Sequence, residues 1–286
     1  MLFDKPLGMS SNAALQTVRR LVNAQKAGHT GTLDPMATGL LPLCFGNATK
    51  FSADLLHAQK GYVARVKLGE VSSTGDAEGE IVERHPVDVA PEALEAAVSA
   101  FLGEIVQIPP MYSALKVNGK CLYQLARQGE TVERAPRTVT VHEIAASDFD
   151  GTSFTLACLV SKGTYIRVLA EDIGRRLGCG AHLTALRRTR VGDLSLDDAV
   201  SLETLQSCGS PEEARSHLKG ADSLLQTFEA VTLDELQTAR FMTGQRLALG
   251  LTMRGRVRVY GPNNMLLGTA RANERGVLEP ERLIAH

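Results

Sequence analysis

The chain has 286 residues, 44% of them apolar, with 31 Lys and Arg against 32 Asp and Glu, 26 Gly, 11 Pro, 5 Cys and no Trp. This composition excludes disorder, collagen and coiled coil, and at this length two domains are expected rather than one. A net charge of −1 argues on its face against a polyanionic partner, because phosphate neutralisation by Lys and Arg supplies most of the affinity for nucleic acid.

The amino-terminal stretch MLFDKPLGMSSN has no basic segment followed by a long apolar one, and no run of about 18 apolar residues occurs, so neither export nor membrane spanning is expected. A first helix is predicted from about Ser11 to Asn23, capped by Ser10, Ser11 or Asn12, with Ala14, Val18, Leu21 and Val22 at helical spacing. A strand over 61–69 alternates Tyr62, Ala64, Val66 and Leu68 on one face with Val63, Arg65 and Lys67 on the other. Pro91 and Gly103 frame a second helix with Leu94, Val98, Phe101 and Leu102 as its buried stripe. The proline-bounded stretch 109–137 reads as a protruding arm, a place for partners, with a short helix around Leu122–Gln128. Strands are expected at 138–144, 153–160 and 164–168, and residues 193–231 read as acidic helix and linker. A capping box from Thr232 to Glu235 opens a short helix ending at Gly244, and β-like pieces at 255–260, 265–270 and 276–278 describe a small β-barrel-like domain.

Charge is segregated along this plan. Residues 70–104 and 193–235 each carry −8, whereas 115–137 carry +3. Arg187, Arg188 and Arg190 fall in an acid-free stretch, as do six arginines between 240 and 273. The near-zero total therefore hides basic segments, and an acidic face turned away from any polyanion is expected. The cysteines (Cys44, Cys121, Cys158, Cys179, Cys208) are odd in number and form no C-x-x-C pair, which suits a reducing cytoplasm. Cys179 and His182 stand three apart, but a metal site needs three or four ligands, so they read as a core thiol and a loop imidazole, and no metal is expected.

Two segments could carry chemistry. In 27–51, glycines and prolines surround a single acid, Asp34, which Pro35 pushes into an extended or turn conformation. A carboxylate ionised near neutrality suits a nucleophile or base, and ordinary Asp-Pro turn chemistry is the alternative. In 161–168, Tyr165 and Arg167 would share one strand face, where a ring and a guanidinium can stack on a base and hold a carboxylate or phosphate, or simply meet solvent. Phosphate-loop, dinucleotide-binding, zincin and nucleophile-elbow motifs are all missing.

The strings Asp4-Lys5-Pro6, Ser10-Ser11-Asn12, Gly28-His29-Thr30-Gly31-Thr32-Leu33-Asp34-Pro35, Gly61-Tyr62, Ser161 to Arg167 and Gly178 to Leu183 occur in the order in which they stand in bacterial TruB-type tRNA pseudouridine synthases, and the sequence resembles that family over almost its whole length. The resemblance implies an α/β (α+β) fold: a catalytic domain over 1–231 around a mixed, largely antiparallel sheet, with the 109–137 arm as an RNA-binding thumb, and a small PUA-like RNA-binding domain over 232–286. It implies isomerisation of uridine 55 in the tRNA T loop, with base flipping and no cofactor; a tRNA-folding assistant is the second reading and a small-molecule isomerase using the same pocket a third, and a cytoplasmic monomer is expected. By the same resemblance Asp34 is the central carboxylate, adding to C6, attacking C1′ or abstracting the C2′ proton. Arg167 keeps Asp34 ionised. Tyr62 stacks on the flipped base and helps remove the C5 proton, Tyr165 and Leu186 wall the pocket, and His29 enters the T loop. Lys5 is structural or phosphate-facing, Arg187, Arg188 and Arg190 lie near phosphates, and the Arg-rich tail meets the acceptor stem.

Overall fold

The computed structural model describes residues 1–113, 115–117 and 119–284. β1 (Leu2–Lys5) leads into α1 (Ser11–Leu21), where the Ser10 side chain accepts from the Ala13 N–H and Ala14, Leu15 and Val18 are buried. The helix stops short of the expected Asn23, which takes φ 49° in the left-handed region that Asn tolerates. β2 (Ala27–His29) and β3 (Ala37–Phe45) flank the Gly/Pro-rich loop, and a 3₁₀ turn over Gly46–Phe51 runs into α2 (Ser52–Leu56). β4 (Lys60–Leu68) keeps the predicted alternation, with Ala64, Val66 and Leu68 buried and Val63 exposed.

β5 (Glu70–Ser72) and β6 (Ile81–Arg84) form a hairpin before α3 (Pro91–Ser99) and β7 (Gly103–Gln107). Gly103 starts that strand instead of ending the helix, and Leu102, predicted in the buried stripe, is 59% exposed; the stripe is Leu94, Ala97 and Val98. Within the arm, β8 (Lys116–Val117) and β9 (Lys120–Cys121) precede α4 (Leu122–Arg127), the short helix expected there. β10 (Arg137–Ser147) and β11 (Ser153–Val160) follow, then α5 (Ile166–Leu177), β12 (Ala181–Val191), β13 (Leu194–Ser195), β14 (Val200–Ser201), α6 (Leu202–Ser207) and α7 (Pro211–Ser216). The carboxy-terminal part holds β15 (Glu229–Thr232), α8 (Glu235–Met242), β16 (Leu247–Ala248), β17 (Gly255–Tyr260), β18 (Leu266–Ala272) and β19 (Val277–Leu283).

Two expectations are corrected here. Residues 164–168 are not a strand: Ile166 opens α5, whose Ile166, Leu169, Ala170 and Ile173 recur at helical spacing and are buried. The capping box is Asp234 with Gln237, two residues beyond the expected one, because Thr232 is still in β15, opposite Tyr260.

The described residues form a mixed sheet in the order β14-β1-β3-β12-β4-β11-β10-β7, with β13 on β12 and β2 on β3. Its parallel pairs are β1 with β14 and β3 with β12; the others run antiparallel. Buried side chains of α1, α3 and α5 join Ala64, Val66, Phe154 and Leu183 in the main core. Gly174 lets α5 approach β12 closely, since a Cβ there would lie 2.4 Å from the Ala181 nitrogen. β15-β17-β18-β19-β16 make the second sheet, around Phe241, Val257, Val259 and Leu267. A third cluster, in which Leu40, Phe51, Leu55 and Val191 meet Leu224, Leu225 and Ile284, joins the two parts.

Candidate active site

The loop carrying Asp34 is held by groups on three other elements. The Leu33 N–H donates to Ser11 Oγ at 2.7 Å, and that hydroxyl returns a bond to the Leu33 carbonyl at 2.9 Å. The Pro35 carbonyl accepts from the Gly8 N–H at 2.8 Å and the Lys5 ammonium at 3.4 Å. Lys5 is fully buried and donates also to the carbonyls of Met9 at 2.6 Å and Pro6 at 2.9 Å, which makes it a structural clamp and not a phosphate contact. Arg188 is 1% exposed; its Nε donates to the Leu40 carbonyl at 2.8 Å and its terminal nitrogens reach the Thr32 and Gly31 carbonyls at 3.4 Å. The expectation that Arg188 lies near phosphates is thus corrected: strand pairing buries it opposite Gly39 and Tyr62, where carbonyls satisfy it. Gly39 is required there, at φ 101°, since a Cβ would stand 2.3 Å from the Arg188 carbonyl oxygen.

Asp34 meets Arg167, Nη2 to Oδ2 at 2.8 Å, with the carboxylate side chain 37% exposed and the guanidinium 5%. Arg167 is aimed by further partners: Nε lies 3.4 Å from the Asp76 carboxylate, Nη1 donates to the Thr74 carbonyl at 3.0 Å, and Nη2 also donates to the Tyr112 carbonyl at 2.6 Å. Asp76 is itself 2% exposed and accepts from Thr74 Oγ1 at 2.6 Å and from the Glu78 N–H at 3.1 Å. One guanidinium fork thus serves two carboxylates, one buried and one open to the cleft. Burial, and secondarily the Asp76 charge, push the Asp34 carboxyl above its ordinary value, while Arg167 and Lys5 act against that rise. Burial lowers Lys5 to about 8, with Asp34 and Glu78 opposing.

Asp34, Tyr62, Tyr165, Arg167, Leu186 and Lys60 share the lining of a cleft of about 240 Å³. Tyr62 stands on β4 between Cys158 of β11 and Arg188 of β12. Tyr165 is not on a strand face with Arg167; it caps α5, and Gln107, 1% exposed, accepts from its N–H at 3.0 Å and donates to its carbonyl at 3.2 Å. Sequence reasoning missed Ser11 as a loop clamp, Gln107 and Asp76; β7 also carries Glu104 and an exposed Val106, so no local pattern set Gln107 apart.

Other expected site residues lie elsewhere. His29 is on β2, outside that lining, with its Nδ1 buried and unpartnered among the described residues, and burial lowers its pKa. Arg187 pairs with Asp4 at 2.7 Å and donates to Thr38 Oγ1 at 3.2 Å, while Arg190 lies 3.9 Å from Asp193. His182 is on β12, not in a loop, and is 4% exposed beside the Glu70 carbonyl. In the tail, Arg256 pairs with Asp54 and Glu281, Arg271 with Glu281 and Arg246 with Glu279, so internal carboxylates occupy three of the arginines expected at RNA. The expected acidic face also fails at two positions: Asp76 meets Arg167, and Glu78 feels both Asp34 and Lys5. Among the described residues no His, Cys, Asp and Glu cluster suits a metal ion, and no helix is long and apolar enough to cross a membrane.

A buried arginine aiming a carboxylate into an aromatic-walled cleft suits attack on, or proton removal from, a bound ring or sugar. Two solved structures share the fold: a Cbf5-Nop10-Gar1 complex, at TM-score 0.75 and 25% identity over 99% of this chain and 84% of that one, and an H/ACA RNP bound to a substrate RNA containing 2′-deoxyuridine, at TM-score 0.76 and 24% identity over 100% and 84%. Residues 19–166 match the model of the TruB family pseudouridylate synthase N-terminal domain, residues 167–226 that of the tRNA pseudouridylate synthase B C-terminal domain, and residues 230–284 that of the C-terminal region of pseudouridine synthase II TruB. The chain belongs to the TruB family of pseudouridylate synthases. A tRNA pseudouridine synthase B of Cupriavidus metallidurans is 56% identical over 99% of this chain and 93% of its own length, and one of Burkholderia mallei is 54% identical over 99% and 96%. The activity is accordingly that of a tRNA pseudouridine synthase, an isomerase.

Proposed function

We propose that the enzyme converts uridine 55 of the tRNA T loop to pseudouridine in the Asp34 cleft, acting on a base flipped out of its stack. The reaction breaks the N1–C1′ bond and joins C5 to C1′, so atoms and oxidation state balance without a cofactor. The observation that carries the reading is the 2.8 Å pair of Asp34 with Arg167 inside the cleft walled by Tyr62, Tyr165 and Leu186. Arg167 favours the ionised carboxylate against burial. In that form Asp34 can add to C6, attack C1′ or take the C2′ proton. Tyr62 supplies a ring for stacking and Tyr165 and Leu186 close the walls, while His29, at the strand before the loop, enters the space the base leaves. The enzyme would do this as a monomer in the cytoplasm, with 1–231 as the reacting domain, 109–137 as its RNA-gripping arm and 232–286 as a further RNA-binding domain.

The test is incubation with an unmodified tRNA transcript and mapping of pseudouridine. Product at position 55 in the parent, and none in Asp34→Asn with tRNA binding retained, is the expected result; full activity in Asp34→Asn would sink it. The same variant probes the tRNA-folding role, since it should still rescue misfolded tRNA.

A further inference from the structure

Helix α2 is an unusual wall for a reacting cleft, because its ties run to the carboxy-terminal part of the molecule. Its Asp54, with a side chain 6% exposed, is paired with Arg256 of β17, and its second carboxylate oxygen is buried without a hydrogen-bond partner among the described residues. Arg256 also contacts Glu281 of β19 at 2.7 Å and lies 4.9 Å over the Phe228 ring. Just before α2, the Lys50 ammonium donates to the Leu283 carbonyl at 2.7 Å and Arg282 donates back to the Lys50 carbonyl. Phe51 and Leu55 bury themselves with Leu224, Leu225 and Ile284. At the other end, Lys60 gathers the carbonyls of Leu55 at 3.4 Å, Leu56 at 2.9 Å and Ala58 at 2.6 Å, and both Leu56 and Lys60 line the Asp34 cleft. Removing Arg256 would leave a buried carboxylate without its cation, which is costly enough to displace a five-residue helix.

We infer that α2 couples the carboxy-terminal sheet to the reacting cleft, with Asp54, Arg256 and Lys60 as positioning residues that hold the Leu56 wall. This rests on the Asp34 cleft being the reacting one. A tail that only grips tRNA would act on affinity; a tail that sets the wall acts on turnover.

The experiment measures kcat and tRNA Kd separately on a full-length unmodified transcript, for proteins whose circular dichroism and melting show them folded. Arg256→Met and Lys60→Met should each lower kcat at least tenfold with Kd within threefold of the parent, and Arg256→Lys should recover part of the loss. Arg271→Met, which touches Glu281 but not Asp54, should stay within twofold in kcat. Where Arg256→Met does not fold, Asp54→Asn takes its place: it removes the tie without leaving a buried charge, so it should still lower kcat with Kd held, but by less than an unpaired Asp54 would. The chain has no Trp, so Leu56→Trp provides a single emission reporter at the wall, whose spectrum should shift on adding Arg256→Met. Unchanged kcat in the folded variants, or a loss carried wholly by Kd, overturns the inference. Activity surviving in Asp34→Asn would instead overturn the reading of the cleft.

Discussion

Replacing Arg188 by Met separates two roles that an arginine beside the Asp34 loop can have. In the structure its strongest bond is Nε to the Leu40 carbonyl at 2.8 Å, with two longer ones of 3.4 Å to Thr32 and Gly31. A charge-assisted hydrogen bond of the first kind contributes about 1.5–3 kcal/mol, and the long pair adds less. Against this stands the cost of burying a guanidinium that forms no ion pair among the described residues, which Met relieves. The balance is a loss of about 2–4 kcal/mol, a fall in Tm of about 4–16 °C for a chain of this size. Turnover should fall as well. Thr32 stands two residues before Asp34, and with Asp34 as the proposed reacting group a misplacement of about 1 Å costs on the order of 100-fold. The discriminating measurement is the dependence of tRNA affinity on salt. An arginine on a phosphate contributes about 1 to the slope of log K against log salt, whereas an internal clamp contributes nothing. Arg188→Met with an unchanged slope, a lowered Tm and a kcat reduced tens of fold is the expected outcome. A slope smaller by about 1 at unchanged Tm would refute the burial argument and restore Arg188 to the RNA surface.

Three further outcomes follow from the same geometry. Asp76 raises the Asp34 pKa and Lys5 lowers it, so in pH–rate profiles the acid limb of kcat/KM should move to lower pH in Asp76→Asn and to higher pH in Lys5→Met; shifts in the same direction would contradict the charge arrangement. Gln107→Leu removes both bonds to the Tyr165 backbone, a loss of about 1–3 kcal/mol by thermal melting, and should lower kcat while tRNA affinity holds; an unaltered kcat would show that the clamp does not position Tyr165. Gly39→Ala places a Cβ 2.3 Å from the Arg188 carbonyl at a φ of 101°, and should destabilise by about 1–3 kcal/mol or more, whereas Gly28→Ala, with open space around it, should melt like the parent.

What the sequence disclosed was whatever a local period or a punctuation residue decides. The alternation through Tyr62, Ala64, Val66 and Leu68 located β4, and the glycines and prolines around Asp34 located the loop at the cleft. Where a distant partner decides, local pattern misled. Thr164 to Val168 alternate as a strand would, but Gln107, 58 residues before Tyr165, takes both backbone groups of the residue that precedes α5. Thr232 with Glu235 satisfies the capping pattern as well as Asp234 with Gln237 does, and only the pairing of Thr232 with Tyr260 settles where the helix begins.

Charge shows the same limit, and shows why a count of like charges was the wrong quantity. Asp76 belongs by composition to an acidic run, yet it is buried on Arg167 and acts as an internal counter-ion, so it contributes little to the field that an approaching phosphate meets. The tail's arginines are misread in the opposite sense: Arg256 is mostly buried between Asp54 and Glu281, and Arg246 and Arg271, though exposed, are paired with Glu279 and Glu281. Of the basic segments, the arm keeps Lys116, Lys120 and Arg127 exposed, and its root reaches the site through the Tyr112 carbonyl on Arg167 and Ser113 in the cleft lining. The exposed Lys116 and Lys120 should therefore contribute to long-range attraction for tRNA, whereas Arg256, paired twice and mostly buried, should not. Removing Lys116 and Lys120 together should reduce the salt slope of binding by about 2, and removing Arg256 should leave it unchanged.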